Sequence, residues 1–432
     1  MKKLIKLTLE ATLMLTLAGC GLSQEETASG QPVAQGDKKP VEIEYWYAFG
    51  DKIGENNENL VKMFNESQDE VHVKASFQGN YEELHAKTQA AFAAGNPPAV
   101  TLNEIASMGV FARNGMTEDL TPFVQRDQVD IDDFIPGLMG NSYIDGKLHG
   151  LPYLRSTPLL YLNATMAKEV GLDPAGPKNW KEWEEYARKM TVPGERVGMT
   201  MPVGIWFYEG FVKSSGGKMI SEDGKTAAFN NAAGVDPVKL WIKMVDEGIL
   251  KIPTGDDASP LSRQDFANQK SGMYFSSTAD LTKILEIAKE GNFELNTTFM
   301  PANTTYGVPT GGANMVIVAG LSEEKKEAAW KFIKWMTEKE QTIYASSFTG
   351  YLPSRKSAVE SEEMKKLYAE KPQFKVAVDQ LEYAGPRPME TVYPEIGTII
   401  QDEIKRAILD RSVAPEAAIA EAARKADELL SK

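Results

Sequence analysis

Between Val41 and Leu102 the chain alternates two periodicities, and this alternation restricts the fold more than any other stretch. VEIEYWY at 41–47 and VHVKASF at 71–77 place apolar residues at every second position, the period of a half-buried strand. Asn56–Asn65 instead carries Leu60, Met63 and Phe64 at helical spacing. A second helical stretch follows Asn80, with Leu84, Thr88, Ala91 and Phe92 on one face. Asn80 and Glu83 have the spacing of a capping box, and Gly95 stops the helix before Pro97 and Pro98. Ala99–Leu102 reads as a third, short strand. Strand, helix, strand, helix, strand requires a parallel sheet with helices on its faces, so the fold class is α/β.

One such sheet cannot accommodate 432 residues, because single cores stop growing well below that length. The later chain repeats the same ingredients. Trp180–Met190 is a helix with Trp183, Tyr186, Ala187 and Met190 on one side, and GIWFYEGF at 204–211 contributes Trp206 and Tyr208. Asp236–Glu247 and Asp280–Lys289 are further helices, with the strand-like GMYFSS (272–277) between them. YGVPTGGANMVIV at 306–318 gives a Gly-Gly turn before a strand. Ser322 can cap a tryptophan-rich helix running to Ser346, which Gly350 and Pro353 prevent from resuming. Glu395–Leu409, with Ile396, Ile399, Ile400 and Ile404 on one face, and Ala414–Leu430 close the chain as helices.

Composition excludes several functions. A net charge of −14 argues against nucleic acid as a partner. The single cysteine, Cys20, permits no internal disulfide, and His72, His85 and His149 lack metal-ligand spacing. No metal or cofactor is expected. There is no GxSxG elbow, HExxH helix, paired-cysteine motif or nucleotide loop, and Gly311-Gly312 lacks the lysine of a phosphate-cradling loop. No catalytic constellation is visible, and a surface adhesin or structural lipoprotein stays open beside a binding protein at this point. A two-carboxylate glycosidase, which leaves no compact motif, is the rival enzyme class.

The N-terminus reads as an export signal: Met1–Lys6 holds three lysines, and a short apolar run ends at Leu17-Ala18-Gly19-Cys20. The run is too short to span a membrane. Its ending resembles the lipobox of bacterial lipoproteins, which implies cleavage before Cys20 and acylation of its thiol. Residues 21–40 are polar and lack aromatics, the composition of a flexible tether. A lipid-anchored protein on the outer face of the cytoplasmic membrane is expected.

Several motifs occur in one order over nearly the whole mature chain. They are Gly79-Asn80-Tyr81-Glu82, Gly95-Asn96-Pro97-Pro98-Ala99, Leu102-Asn103-Glu104, YIDGKLHGLPY at 143–153 and Ser156-Thr157-Pro158. Trp206, Gly311-Gly312-Ala313 and Gly350-Tyr351-Leu352-Pro353 continue the series. This order resembles the solute-binding proteins of bacterial ABC importers. The resemblance is strongest to the branch that binds glycerol-3-phosphate, and weaker to the maltose-binding branch. It implies two α/β lobes with a ligand cleft between them, in a monomer that delivers a small molecule to permease subunits. Lobe I is expected at 41–153 plus 302–349 and lobe II at 154–301 plus 350–432. Chain crossings fall near Tyr153–Thr157, Pro301 and Gly350 on this reading.

Carried over residue by residue, the resemblance implies ligand contacts from Tyr81, Glu104, Ser156, Ser277, Gly312 and Tyr351, with Trp206 as an apolar wall. Hydroxyls, a glycine amide and a carboxylate are suitable partners for a polyol phosphate. The branch also uses a late arginine for phosphate. Ungapped alignment puts Met389 there, with Arg387 two residues earlier. Arg387 and Arg155, the latter beside Ser156, are the two candidates for that role. A phosphate without a cation is costly to desolvate, so the absence of both from the cleft would favour a neutral sugar.

Overall fold

The computed structural model describes residues 39–255 and 258–432. The expected leader, Cys20 and nearly all of the expected tether lie outside the described residues.

Two five-stranded sheets carry the fold. The first has the order 71–77, 41–47, 100–104, 311–317, 151–156. Its first three strands are parallel, as the alternation at 41–102 requires, and 311–317 runs antiparallel to both of its neighbours. The second sheet has the order 295–298, 158–163, 271–277, 197–200, 250–251. The chain passes from one sheet to the other at Thr157, between the strands 151–156 and 158–163.

Each sheet is buried by the helices the patterns predict. In the first lobe Tyr45, Leu60, Phe64, Leu102 and Met315 pack with Trp330 and Ile333 of the helix Glu323–Met336. Asn80 caps the helix Tyr81–Ala93, and both hydrogen bonds of the capping box with Glu83 are present. In the second lobe Leu160, Trp183, Met190, Phe211, Trp241 and Met273 pack with Ile400 and Ala422 of the two C-terminal helices. A smaller cluster joins Leu159, Tyr274 and Leu281 to Leu352 and Phe374.

Local details depart from the periodicity. Met63 is 42% exposed and Val61 is buried in its place. The helix expected over 322–346 is two helices, Glu323–Met336 and Lys339–Thr349, separated where the Thr337 hydroxyl bonds the Ile333 carbonyl. Gly350 ends the second of them in the left-handed region, at φ +108°. The chain after Gly350 first pairs Leu352 with Arg155 and Ser354 with Ile135, and Arg355 binds Asp133. Leu352 also packs with Leu159 and Tyr274 of the second sheet, and at Pro372–Asp379 Gln373 hydrogen-bonds that sheet, donating to the Leu295 carbonyl (2.8 Å).

Candidate ligand-binding site

A cavity of about 660 Å³ lies between the lobes, within the usual size of a small-molecule site. It is lined by Tyr81, Glu104, Ser156, Trp206, Ser277, Gly312, Tyr351 and Arg387, eight of the nine residues expected in a ligand site. Strand and helix ends deliver them. Tyr81 opens its capped helix, Glu104, Ser156 and Ser277 end strands, and Tyr351 follows the left-handed Gly350. The Ser277 hydroxyl accepts from Ala279 N (3.1 Å), a bond that does not use its own proton.

Gly311 and Gly312 have separate steric reasons to be glycine. A Cβ on Gly311 would lie 2.6 Å from the Trp206 ring, and one on Gly312 would lie 1.9 Å from the Leu154 carbonyl oxygen. Gly312 is also at φ +85°, opposite a register slip in which Leu154 takes φ +44°. Such bulges re-aim side chains and bend the strand locally. Here the bulge sits where the first sheet meets the cavity.

Arg155 does not line the cavity, and its expected phosphate role is corrected. Successive residues of a strand point to opposite faces, so the strand that turns Ser156 into the cavity turns Arg155 away from it. Arg155 is fully buried and donates to the Gly311 carbonyl (3.0 Å), the Leu138 carbonyl, Asn314 Oδ1 (3.2 Å) and Thr310 Oγ1 (3.1 Å). Burial pushes its pKa down to about 10, with Glu104 opposing the shift. Its role is to fasten the two strands that frame Ser156 and the glycine pair.

Arg387 does reach the cavity, but as the centre of an ion-pair group. Its Nη1 donates to Glu104 Oε1 at 2.7 Å, while Nε and Nη2 donate to Glu209 at 2.9 Å. Tyr393 Oη donates to the same Glu209 (2.7 Å). Asn141 holds the Arg387 backbone from the first lobe, accepting from its N–H (3.2 Å) and donating to its carbonyl (3.0 Å). Burial raises the Glu104 pKa against the opposing pull of Arg387. The Arg387 pKa is raised as well, because the two glutamates outweigh the desolvation of its charge. Glu209 was not among the expected residues. Its signal in the sequence is a lone carboxylate inside the apolar run IWFYEGFV.

The remaining cations of the lining are paired as well. Arg263 meets Asp280 (3.3 Å), Lys283 meets Asp51, and Lys52 meets Glu286 (3.6 Å). The last two pairs join the lobes across the cavity rim. His85, also in the lining, accepts from Glu104 N (3.2 Å), and burial holds its pKa down near 4. Aromatic faces complete the walls: Phe49 stands edge-on to Tyr81 at 4.8 Å, and Trp206 is fixed by its Nε1–H on the Thr310 carbonyl (3.0 Å). Burial pushes the Tyr81 and Tyr351 phenols up, and their hydroxyls adjoin. Among the described residues no His, Cys, Asp or Glu cluster could hold a metal ion, and no helix is long and apolar enough to cross a membrane.

Residues 59–375 match the family model for bacterial extracellular solute-binding proteins. The chain is 26% identical over 418 residues to the sn-glycerol-3-phosphate-binding periplasmic protein UgpB of Yersinia pestis, covering 91% of this chain and 93% of the relative. Among solved structures it is similar to UgpB from Mycobacterium tuberculosis in complex with glycerophosphocholine. That match has a TM-score of 0.79 at 25% identity, covering 91% of this chain and 98% of the other. The GacH receptor of Streptomyces glaucescens shares the fold, with a TM-score of 0.82 at 20% identity over 91% and 100% of the two chains.

Proposed function

This chain belongs to the bacterial extracellular solute-binding proteins and is the substrate-binding component of an ABC importer; we propose that it captures a glycerophosphodiester. Like the proteins it resembles, it binds its solute and does not transform it. The observation that carries the ligand reading is the charge balance of the cavity. Each lining cation, among the described residues, is already bound by a carboxylate, and Arg387 by two. A dianionic phosphomonoester would enter without an uncompensated cation to meet it, at a high desolvation cost. A phosphodiester has one charge, and when it bears a quaternary ammonium it is neutral overall. The aromatic faces of Phe49, Tyr81 and Trp206, with Glu82 and Asp51 nearby, suit such a cationic head. The two remaining Nη hydrogens of Arg387, the Ser156 and Ser277 hydroxyls and the Gly312 amide suit the glycerol and phosphate oxygens. Tyr81, Glu104, Ser156, Trp206, Ser277, Gly312, Tyr351 and Arg387 are the proposed contacts. Export and a lipid on Cys20 belong to the same proposal.

A neutral oligosaccharide is the second reading, favoured by the same charge balance and by the room the cavity leaves around a small polyol. Calorimetric titration of the purified protein with glycerophosphocholine, glycerol-3-phosphate and maltotriose separates the three. Glycerophosphocholine should bind at least tenfold more tightly than glycerol-3-phosphate, with no heat from maltotriose. Tighter binding of the monoester would overturn the charge argument, and binding of maltotriose alone would establish the sugar reading instead.

A further inference from the structure

We propose that Glu209 is the specificity-determining residue of the cavity, setting the net charge of ligand it accepts without touching the ligand. The inference rests on the ligand-class reading above for its choice of probes, and its test is built to stand apart from it. Glu209 sits on the helix Ile205–Ser214 among buried Phe207, Tyr208, Phe211 and Val212, with its side chain 4% exposed. It is absent from the cavity lining. A carboxylate in such a place is costly unless fully hydrogen-bonded and paired. It is both: two nitrogens of Arg387 and the Tyr393 hydroxyl donate to it.

The consequence falls on Arg387, which does line the cavity. Glu104 alone would balance the guanidinium and leave that wall neutral. Adding Glu209 makes the group of three formally −1, and Lys213, partly buried one turn further along the helix, offsets part of that charge from outside the cavity. The second carboxylate is therefore unnecessary for neutralising Arg387, and its effect is to push the wall to the negative side. Low-dielectric surroundings strengthen the influence of such a charge on an anion a few ångströms away. Glu209 also holds the plane of the guanidinium, so the two free Nη hydrogens keep their direction while the positive field behind them is cancelled. The site can then hydrogen-bond a phosphate oxygen and still reject a ligand whose net charge is strongly negative. Specificity arises from a carboxylate on the helix behind the arginine.

The test compares Glu209→Gln, which keeps the shape and an acceptor oxygen, with Glu209→Asp, which keeps the charge. Wild type and both variants are titrated with glycerol-3-phosphate, glycerophosphocholine and maltotriose. In Glu209→Gln the affinity for glycerol-3-phosphate should rise at least tenfold relative to glycerophosphocholine, while Glu209→Asp keeps the wild-type ratio. Equal changes for both ligands would mean that Glu209 only orients Arg387, and the proposal would fall. If wild type binds maltotriose alone, the ligand-class reading fails separately. Glu209 is then judged by whether Glu209→Gln gains glycerol-3-phosphate binding while keeping maltotriose, and no gain rejects it. A measurement on wild type guards against a variant that does not fold. Glycerol-3-phosphate affinity should hold or rise between low and high salt, because salt screens the repulsion. Steep weakening with salt would show an attractive, positive wall and overturn the proposal.

Discussion

Replacing Arg155 with alanine should damage the fold, and the structure lets the size of the effect be worked out. The guanidinium is fully buried and serves four acceptors on two segments: Leu138 O on one, and Thr310 Oγ1, Gly311 O and Asn314 Oδ1 on the other. Removing it leaves two main-chain carbonyls without these donors, at about 1–3 kcal/mol each if water does not reach them. The vacated volume adds a cavity term, and water entering that polar space offsets part of both. The net expectation is a loss of about 3–5 kcal/mol, a large part of the 5–15 kcal/mol typical of a folded protein. Urea denaturation should show a lower midpoint at unchanged slope. Arg155→Lys, with its charge kept and its fork lost, should fall between. At temperatures where Arg155→Ala stays folded, its preference between glycerophosphocholine and glycerol-3-phosphate should match wild type. Stability within about 0.5 kcal/mol of wild type would refute the reasoning, since that is the range of substitutions that touch nothing. So would intact stability combined with loss of phosphate-ligand binding, which would place Arg155 in the cleft after all.

Gly312→Ala should cost at least about 2 kcal/mol, combining left-handed backbone strain with a Cβ aimed at the Leu154 carbonyl, and should lower the urea midpoint accordingly. Trp206→Ala removes a cavity wall and the hydrogen bond to Thr310, so calorimetry should show affinity falling at least tenfold for whichever ligand class binds. His85 has its pKa held down near 4, so as pH falls from about 6.5 toward 4 the unfolded chain takes up a proton that the native state refuses. That contribution is fully present above pH 6.5 and lost on acidification, and His85→Gln should flatten the decline of the urea midpoint between pH 7 and 4. Cys20→Ser should release the protein from the membrane fraction of expressing cells, because the remaining chain carries no lipid; retention equal to wild type would refute anchoring through Cys20.

The parallel sheet was legible because its strands and helices differ in period, and the capping box at Asn80–Glu83 marks a boundary that local chemistry alone decides. The split of the 322–346 helix was less legible. Thr337 and Glu338 interrupt it without a glycine or proline, and the break depends on where Arg355 donates to the Thr337 carbonyl (2.6 Å). Met63 and Val61 flank the Leu60–Phe64 stripe on opposite sides, so the periodicity could not decide between them, and packing in the first-lobe core does. In the site, motif order brought eight residues to one cavity, yet it proposed both Arg155 and Ser156. Strand alternation alone forbids that pair from facing the same way. Glu209 was hidden for a different reason: an acidic residue on a helix is ordinary, and only tertiary contact shows it buried against Arg387.

The same ion pairs bear on how the lobes are held together. Lys283–Asp51 and Lys52–Glu286 join them at the rim, where side chains remain partly exposed to solvent. Pairs of that kind contribute about 0–1 kcal/mol each, too little to fix a hinged protein in one state. The buried group of Arg387, Glu104 and Glu209 also spans both lobes, but desolvation offsets much of what its attraction gains. Closure must therefore draw on contacts that exist only when ligand is present, since a ligand shifts such an equilibrium by its differential affinity for the two states. The residues able to supply them come from both sides: Tyr81, Glu104, Ser156 and Gly312 from the first lobe, Trp206 and Ser277 from the second. A ligand too small to touch both sets would bind one lobe and leave the hinge unbiased.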